Sequence, residues 1–300
     1  MLDSYKLQKI LIANRGEIAV RIIRACRDLG IGSVAVYSEC DQAARYVRMA
    51  DEAYPIGASP PTESYLHINR IIDVARRCRA DAIHPGYGFL SENAAFAKAC
   101  RDASIIFIGP SPELIEQMGD KTAARQVAKK AGISVVPGTE GAIGPEVSDD
   151  AIAEMVQGVG FPLLVKAAAG GGGKGMREAT SLEDLASAIR TARSEAETAF
   201  GDSAVYLERK ITEAQHIEVQ LLGDHYGTVL PFVERECSLQ RRHQKVLEET
   251  PAAVLTKKLR AQITSAAAEI ARSVGYTNAG TVEFLLTPDG QFYFLEMNTR

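Results

Sequence analysis

The sequence predicts a chain of α/β and α+β class, in which an N-terminal parallel βαβ series precedes a smaller unit and a largely antiparallel last third. Three observations predict it. Short apolar runs alternate with helical spacing across residues 1–119. A glycine run at Gly170–Gly175 interrupts the middle. The last third alternates polar and apolar residues and ends on two strand-like runs around Thr287-Pro288-Asp289-Gly290.

The elements follow in order. Lys9–Ala13 reads as a buried strand. After the turn Asn14-Arg15-Gly16, helical spacing runs through Ile18, Ile22, Ala25 and Leu29 and stops at Gly30. Ser33–Tyr37 is a second strand, Tyr65–Arg77 a helix, Asp81–His84 a strand, Asn93–Asp102 a helix and Ile105–Ile108 a strand. Lys121–Ala131 is helical, and Val135–Pro145, rich in Gly and Pro, reads as a linker. The smaller unit holds a strand at Leu163–Lys166, a helix at Ser181–Ala199 and a strand at Ala204–Glu208. His216–Leu221 alternates strictly, which suits a strand whose polar face lines a cleft. A helix over Lys257–Val274 precedes the hairpin Thr281–Leu286 and Gln291–Met297.

Composition excludes some classes. The 300 residues carry a net charge of −4, which argues against binding nucleic acid through bulk charge. No run approaches the roughly 18 apolar residues of a membrane span. Met1–Lys6 is polar and lacks the apolar core of a secretory signal. The cysteines Cys26, Cys40, Cys78, Cys100 and Cys237 form no CxxC pair and are odd in number, so they are expected to be reduced, in a cytoplasmic protein.

Three segments carry chemistry. The glycine run lets backbone N–H groups approach phosphate oxygens, and Lys166 stands on the strand before it. It lacks the Walker A spacing, and only Gly16 follows the first strand, so neither a P-loop nor a simple dinucleotide site is expected. The run alone also fits a flexible linker. In the terminal hairpin, a four-residue turn sets Leu286 opposite Gln291 and Glu283 opposite Phe294. Glu283, Glu296 and Asn298 then share one face, a hard oxygen set suited to Mg²⁺ carrying nucleotide phosphates, or else a solvated polar face. A register slip of one residue reverses Glu283. The third segment, Glu234–Glu249, holds nine charged or histidine residues in sixteen. It fits a solvated surface as well as a site for phosphate or a small anion such as bicarbonate.

ANRGEIAVRIIRAC (Ala13–Cys26), HPGYGFLSEN (His84–Asn93), GGGGKGM (Gly170–Met176), ERECSLQRRHQKVLEETP (Glu234–Pro251) and FLEMNTR (Phe294–Arg300) occur in that order. Together they resemble biotin carboxylase, the ATP-grasp component of acetyl-CoA, propionyl-CoA and pyruvate carboxylases. The resemblance spans essentially the whole chain. It implies an N-terminal domain at 1–119 and an ATP-grasp domain at 120–300, with a glycine-rich lid at about 137–210. The activity implied is ATP-dependent phosphorylation of bicarbonate to carboxyphosphate, followed by carboxylation of carrier-bound biotin.

By the same resemblance, Lys121 and Lys166 contact ATP phosphates, and Gly171, Gly172 and Gly173 lie in the lid loop. Leu207 and Glu208 lie beside the adenine, His216 near the ribose, and Gln240 and His243 on the nucleotide. Glu283 and Glu296 are Mg²⁺ or Mn²⁺ ligands with Asn298 beside them, while Lys245 and Arg300 hold bicarbonate or carboxyphosphate. Arg21 and Arg24 lie on the helix used for dimer contact. The implied partners are bicarbonate, a biotin carboxyl carrier protein or domain, a carboxyltransferase subunit and a second copy of the chain. The family continues past the position of Arg300 with a glutamate general base and a C-terminal domain, so the chain is expected to be a fragment whose own activity is open. The alternatives are another ATP-grasp ligase of the carbamoyl-phosphate synthase kind, or an inactive nucleotide-binding fragment. The final carboxyl acceptor is not legible.

Overall fold

A computed structural model of the chain describes residues 7–168, 176–241 and 244–300. Gly171, Gly172, Gly173 and His243 therefore lie outside the described residues. The chain divides into two compact units. One holds residues up to Glu116 with Thr277–Ala279 and Thr299–Arg300, and the other holds Gln117–Tyr276 with Gly280–Asn298.

In the first unit the elements are β1 (Lys9–Ile12), α1 (Gly16–Asp28), β2 (Gly32–Ser38), α2 (Arg45–Met49), β3 (Glu52–Gly57), α3 (Ile68–Cys78), β4 (Ala82–His84), α4 (Ala94–Asp102) and β5 (Ile106–Phe107). The strands form one parallel sheet in the order β3-β2-β1-β4-β5. Alternation along β1 explains why both faces are apolar. Leu11 enters a cluster with Val34, Val36, Ile71, Ile83 and Phe96. Ile10 and Ile12 enter the opposite cluster with Ala19, Ile22, Ile23 and Ala35. Strand β3 escaped the sequence reading because Pro55 interrupts it, which an edge strand tolerates. The helix expected from Tyr65 begins at Ile68 instead. Tyr65 is buried in the core, its hydroxyl donating to Asp41 Oδ2 at 2.5 Å.

Then follow α5 (Pro112–Gly119), α6 (Lys121–Lys130), α7 (Asp149–Gln157), β6 (Leu163–Ala167), β7 (Met176–Ala179), α8 (Leu182–Phe200) and β8 (Val205–Arg209). Strands β7-β6-β8 form an antiparallel three-stranded sheet. Leu163, Val165, Val205 and Leu207 pack with Leu185, Ile189 and Ala192 of α8 and Ile152 and Val156 of α7. Ser181 caps α8, its hydroxyl accepting from Asp184 N at 3.4 Å, and Gly201 at φ +71° ends it.

The segment Val135–Pro145 is not a loose linker. Val136 and Ile143 are buried, and isolated bridges join Val135 to Phe294, Gly138 to Glu208 and Ile143 to Val205. Backbone groups lying against a sheet must find partners, and the strand-edge bonds supply them.

The chain continues through β9 (Gln215–Gly223), β10 (Val229–Pro231), β11 (Arg235–Arg241), β12 (Gln244–Glu249), α9 (Lys257–Ser273), β13 (Asn278–Leu286) and β14 (Phe292–Thr299). These strands form a sheet in the order β12-β11-β9-β13-β14, with β10 paired to β9. The charged segment from Glu234 is thus a β-hairpin, with register shifts between Glu236 and Gln240.

Candidate active site

The site lies in the second unit, on the strands of its large sheet and on α6, β6 and β8. At its centre is Glu283 of β13, which is buried. Lys245 Nζ of β12 donates to Glu283 Oε1 at 2.7 Å and also to Glu218 of β9. Arg235 of β11 donates to the other oxygen of Glu218. Asn298 Nδ2 of β14 donates to Glu283 Oε1 at 2.7 Å. His216 Nε2 stands 2.7 Å from Glu283 Oε2 but out of line for a hydrogen bond, so that contact is electrostatic. On its other side, His216 Nδ1 and Gln240 Nε2 are 3.0 Å apart. Gln240 thus holds the imidazole with Nε2 turned to the carboxylate.

The electrostatics follow from burial and these partners. Burial opposes ionisation of Glu283, but His216 and Lys245 overcome it and hold its carboxyl well below the usual range. Glu296 is half-buried, and the desolvation there, with the charge on Glu283 added, raises its carboxyl above its ordinary value, against the pull of Lys121, Lys166 and Lys245. Burial lowers the Lys121 ammonium from its usual value, and Lys166 lowers it further, while Glu296 and Glu208 oppose this. For Lys245, burial works against the charge, but Glu283 and Glu218 prevail and raise it.

The hairpin register differs from the expected one. Gly290 N donates to Thr287 O at 2.9 Å and Thr287 N to Gln291 O at 2.8 Å, so Gln291 closes on Thr287 and not on Leu286. Gly290, at φ +82°, absorbs the extra residue as a bulge. Unbroken pairing from this turn places Asn298 on the face opposite Glu283. The 2.7 Å contact between them requires a second irregularity. Burial along β14 passes from Phe294 to Met297 and then Thr299, which puts the change of phase at Leu295–Glu296. The two shifts offset each other.

A second cluster adjoins it. Lys166 of β6 pairs with Glu208 of β8, whose other oxygen takes Arg125 of α6. Lys121 opens that helix, which Asp120 caps by accepting from Ala123 N at 2.7 Å. Leu207, fully buried, is fixed by Thr139 N donating to its carbonyl at 2.9 Å. Arg300 belongs to the first unit, where its N–H donates to Ala279 O at 3.3 Å.

Sequence reasoning missed Glu218, Arg235 and Arg125 as members of this network. The signals existed: Glu218 follows His216 by two on an alternating strand, and Arg125 follows Lys121 by four on a helix. All five cysteines are free thiols, with burial pushing Cys100 and Cys237 up to about 12. Among the described residues, no helix is long and apolar enough to cross a membrane.

Two sets of donors lie close enough together to be weighed for a divalent cation. His216, Glu218 and Glu283 converge, but the Lys245 ammonium already fills the gap between the two carboxylates. Glu283, Glu296 and Asn298 fit better. They offer oxygen donors, and Glu296 has no hydrogen bond or ion pair among the described residues while Glu283 repels it. A cation between the two acids relieves that repulsion.

Residues 6–115 match the family described as "Biotin carboxylase, N-terminal domain", and residues 120–300 match "Carbamoyl-phosphate synthase L chain, ATP binding domain". The chain belongs to the biotin carboxylase family. It is 50% identical to biotin carboxylase 1 of Bacillus subtilis over 295 residues, 98% of this chain and 65% of that protein. It is 52% identical over 300 residues to human mitochondrial pyruvate carboxylase, covering 100% of this chain but 25% of that protein. A biotin carboxylase–beta-gamma-ATP complex from Campylobacter jejuni superposes with a TM-score of 0.95 at 47% identity, covering 98% of this chain and 66% of that one. The biotin carboxylase domain dimer of Hydrogenobacter thermophilus 2-oxoglutarate carboxylase, bound to MgADP, ADP and bicarbonate, gives 0.94 at 46% identity, covering 99% of this chain and 65% of that one. The chain thus spans about two thirds of the length of these bacterial relatives.

Proposed function

We propose that the chain is the nucleotide- and bicarbonate-handling part of a biotin carboxylase. A bicarbonate oxygen attacks the γ-phosphorus of ATP, giving carboxyphosphate and ADP. Carboxyphosphate breaks down to CO₂ and phosphate, and N1′ of a carrier-bound biotin takes the carboxyl group. The observation that carries this reading is the placement of Lys245 between Glu218 and Glu283, beside the Glu296 acid. One cation for a small anion thus adjoins an oxygen-only cation site.

In this reading Lys121 and Lys166, with Gly171, Gly172 and Gly173, bind phosphate oxygens, and the lysines neutralise charge during phosphoryl transfer. Leu207, Glu208, His216, Gln240 and His243 border the nucleoside. Glu283, Glu296 and the amide oxygen of Asn298 hold Mg²⁺ or Mn²⁺, which supplies charge neutralisation at the phosphates. Lys245 and Arg300 bind bicarbonate and orient it. Residues 1–119 form the N-terminal domain and 120–300 the ATP-grasp domain, with a lid at about 137–210. Arg21 and Arg24, exposed on α1, serve self-association. The carrier, the carboxyltransferase and the acyl-CoA or pyruvate acceptor belong to the complete, cytosolic enzyme.

Isothermal titration of the purified chain with ATP and Mg²⁺, followed by phosphate release with and without bicarbonate, tests this. Mg²⁺-dependent ATP binding with bicarbonate-stimulated release is the expected result. Binding without stimulated release supports a nucleotide-binding fragment, and release that responds to ammonia or an amino acid in place of bicarbonate supports another ligase.

A further inference from the structure

Arg125 has no part in the reading above, yet it is the most deeply buried cation of its cluster. Arg125 is 5% exposed and Glu208 2%. The guanidinium bonds Glu208 Oε1 with one nitrogen and donates to Val136 O at 2.7 Å with the other. Glu208 Oε2 accepts from Lys166 Nζ. Sheet geometry fixes that second contact. Leu164 of β6 lies opposite Glu208 and Lys166 opposite Tyr206, so Lys166 is a diagonal neighbour of Glu208, with Nζ 5.9 Å from the Tyr206 ring.

One buried carboxylate is therefore shared by two cations with different freedom. Arg125 is tied at both ends of its planar fork, a geometry that lysine cannot copy. Among the described residues Lys166 has a hydrogen bond to Glu208 only, and it is the group assigned above to phosphate. If Glu208 had only Lys166, moving that ammonium to a phosphate would strand a buried charge, which is strongly unfavourable.

We propose that Arg125 is a positioning residue for nucleoside triphosphates: it keeps Glu208 neutralised while Lys166 transfers from Glu208 Oε2 to a phosphate oxygen. The inference rests on the reading of Lys166 as a phosphate ligand.

The test uses the full chain, with Mg·ATP and adenosine titrated separately. Arg125→Met leaves Glu208 with Lys166 as its one ion-pair partner among the described residues. ATP affinity is expected to fall at least tenfold, and adenosine affinity to stay within about twofold, because adenosine makes no demand on Lys166. A merely structural role lowers both alike. Adding Glu208→Gln removes the remaining buried charge, and this double variant is expected to recover at least threefold of the ATP affinity that Arg125→Met loses. It also serves if the single variant does not fold, since the charges are then removed as a pair. Wild-type ATP affinity in Arg125→Met, equal losses for ATP and adenosine, or no recovery in the double variant overturns the proposal alone. Failure of the wild-type chain to bind Mg·ATP overturns it together with the functional reading.

Discussion

Lys245 Nζ lies 2.7 Å from Glu283 Oε1 while it also bonds Glu218, so one ammonium joins β12 to both β9 and β13. Burial makes each member expensive alone and favourable together. The same lysine is the proposed holder of a small anion beside the proposed cation site, so several outcomes turn on these residues.

Glu296→Gln removes a carboxylate that burial and Glu283 already push toward protonation. The fold loses little, because no hydrogen bond or ion pair among the described residues goes with it. The apparent melting temperature without metal is expected to stay within about 2 °C, a shift worth under ~1 kcal/mol. Mg·ATP affinity is expected to drop about tenfold or more by calorimetric titration. Unchanged Mg·ATP affinity takes Glu296 out of the metal set.

Lys245→Ala strips Glu218 and Glu283 of a shared cation. Mg·ATP affinity is expected to remain within about threefold, since the metal supplies a counter-charge to Glu283. Bicarbonate-dependent phosphate release is expected to vanish, and full turnover by the variant counts against its role.

Lys121 binds its proton less tightly than an ordinary lysine, because burial and then Lys166 disfavour the charge. A bound phosphate reverses this by favouring the charged form. ATP binding at alkaline pH is therefore expected to take up protons, and the Lys121→Met variant to lose that uptake. Calorimetry in two buffers of different ionisation enthalpy reads it directly. Equal uptake by wild type and variant places the linked proton elsewhere.

In the first unit, Arg15 forks onto Asp41 at 2.5 and 2.6 Å, and Tyr65 donates to the same carboxylate. Arg15, opposed by burial and aided by Tyr65, holds the Asp41 carboxyl below its ordinary 3.8. A depressed folded-state value means that this stability is fully present above pH 3.8 and is lost as the pH falls through the folded value. Asp41→Asn is expected to cost about 2 kcal/mol at neutral pH, solvent screening at the half-exposed Arg15 having been discounted. It is also expected to flatten the acid limb of an unfolding-versus-pH curve. A variant with an unchanged acid limb rules out the linkage.

Much of the architecture was legible because it is local. Leu11 between Ile10 and Ile12, or Ile22 and Cys26 along α1, carries its periodicity in a few neighbouring residues. Strands β11 and β12 were not read. Their exposed faces mix Glu, Arg and Lys with Leu239, Val246 and Leu247, which breaks alternation, and the pairing is itself bulged. Val135–Pro145 looked like a linker because its strand-like contacts are single bridges, each too short to leave a pattern.

By itself the sequence determined the type and order of most elements, and the stock of acids, amides and lysines from which the phosphate and cation site is proposed. Tertiary structure alone decided that Lys245 meets Glu218 and Glu283, residues 27 and 38 positions away, and that Arg125 meets Glu208 across 83. It also decided that two register shifts in the β13–β14 hairpin cancel, so that Glu283 and Asn298 meet after all. The reason is physical: periodicity is set within a turn or a strand, whereas the partner of a buried charge is chosen by whichever distant backbone the packing brings within about 3 Å.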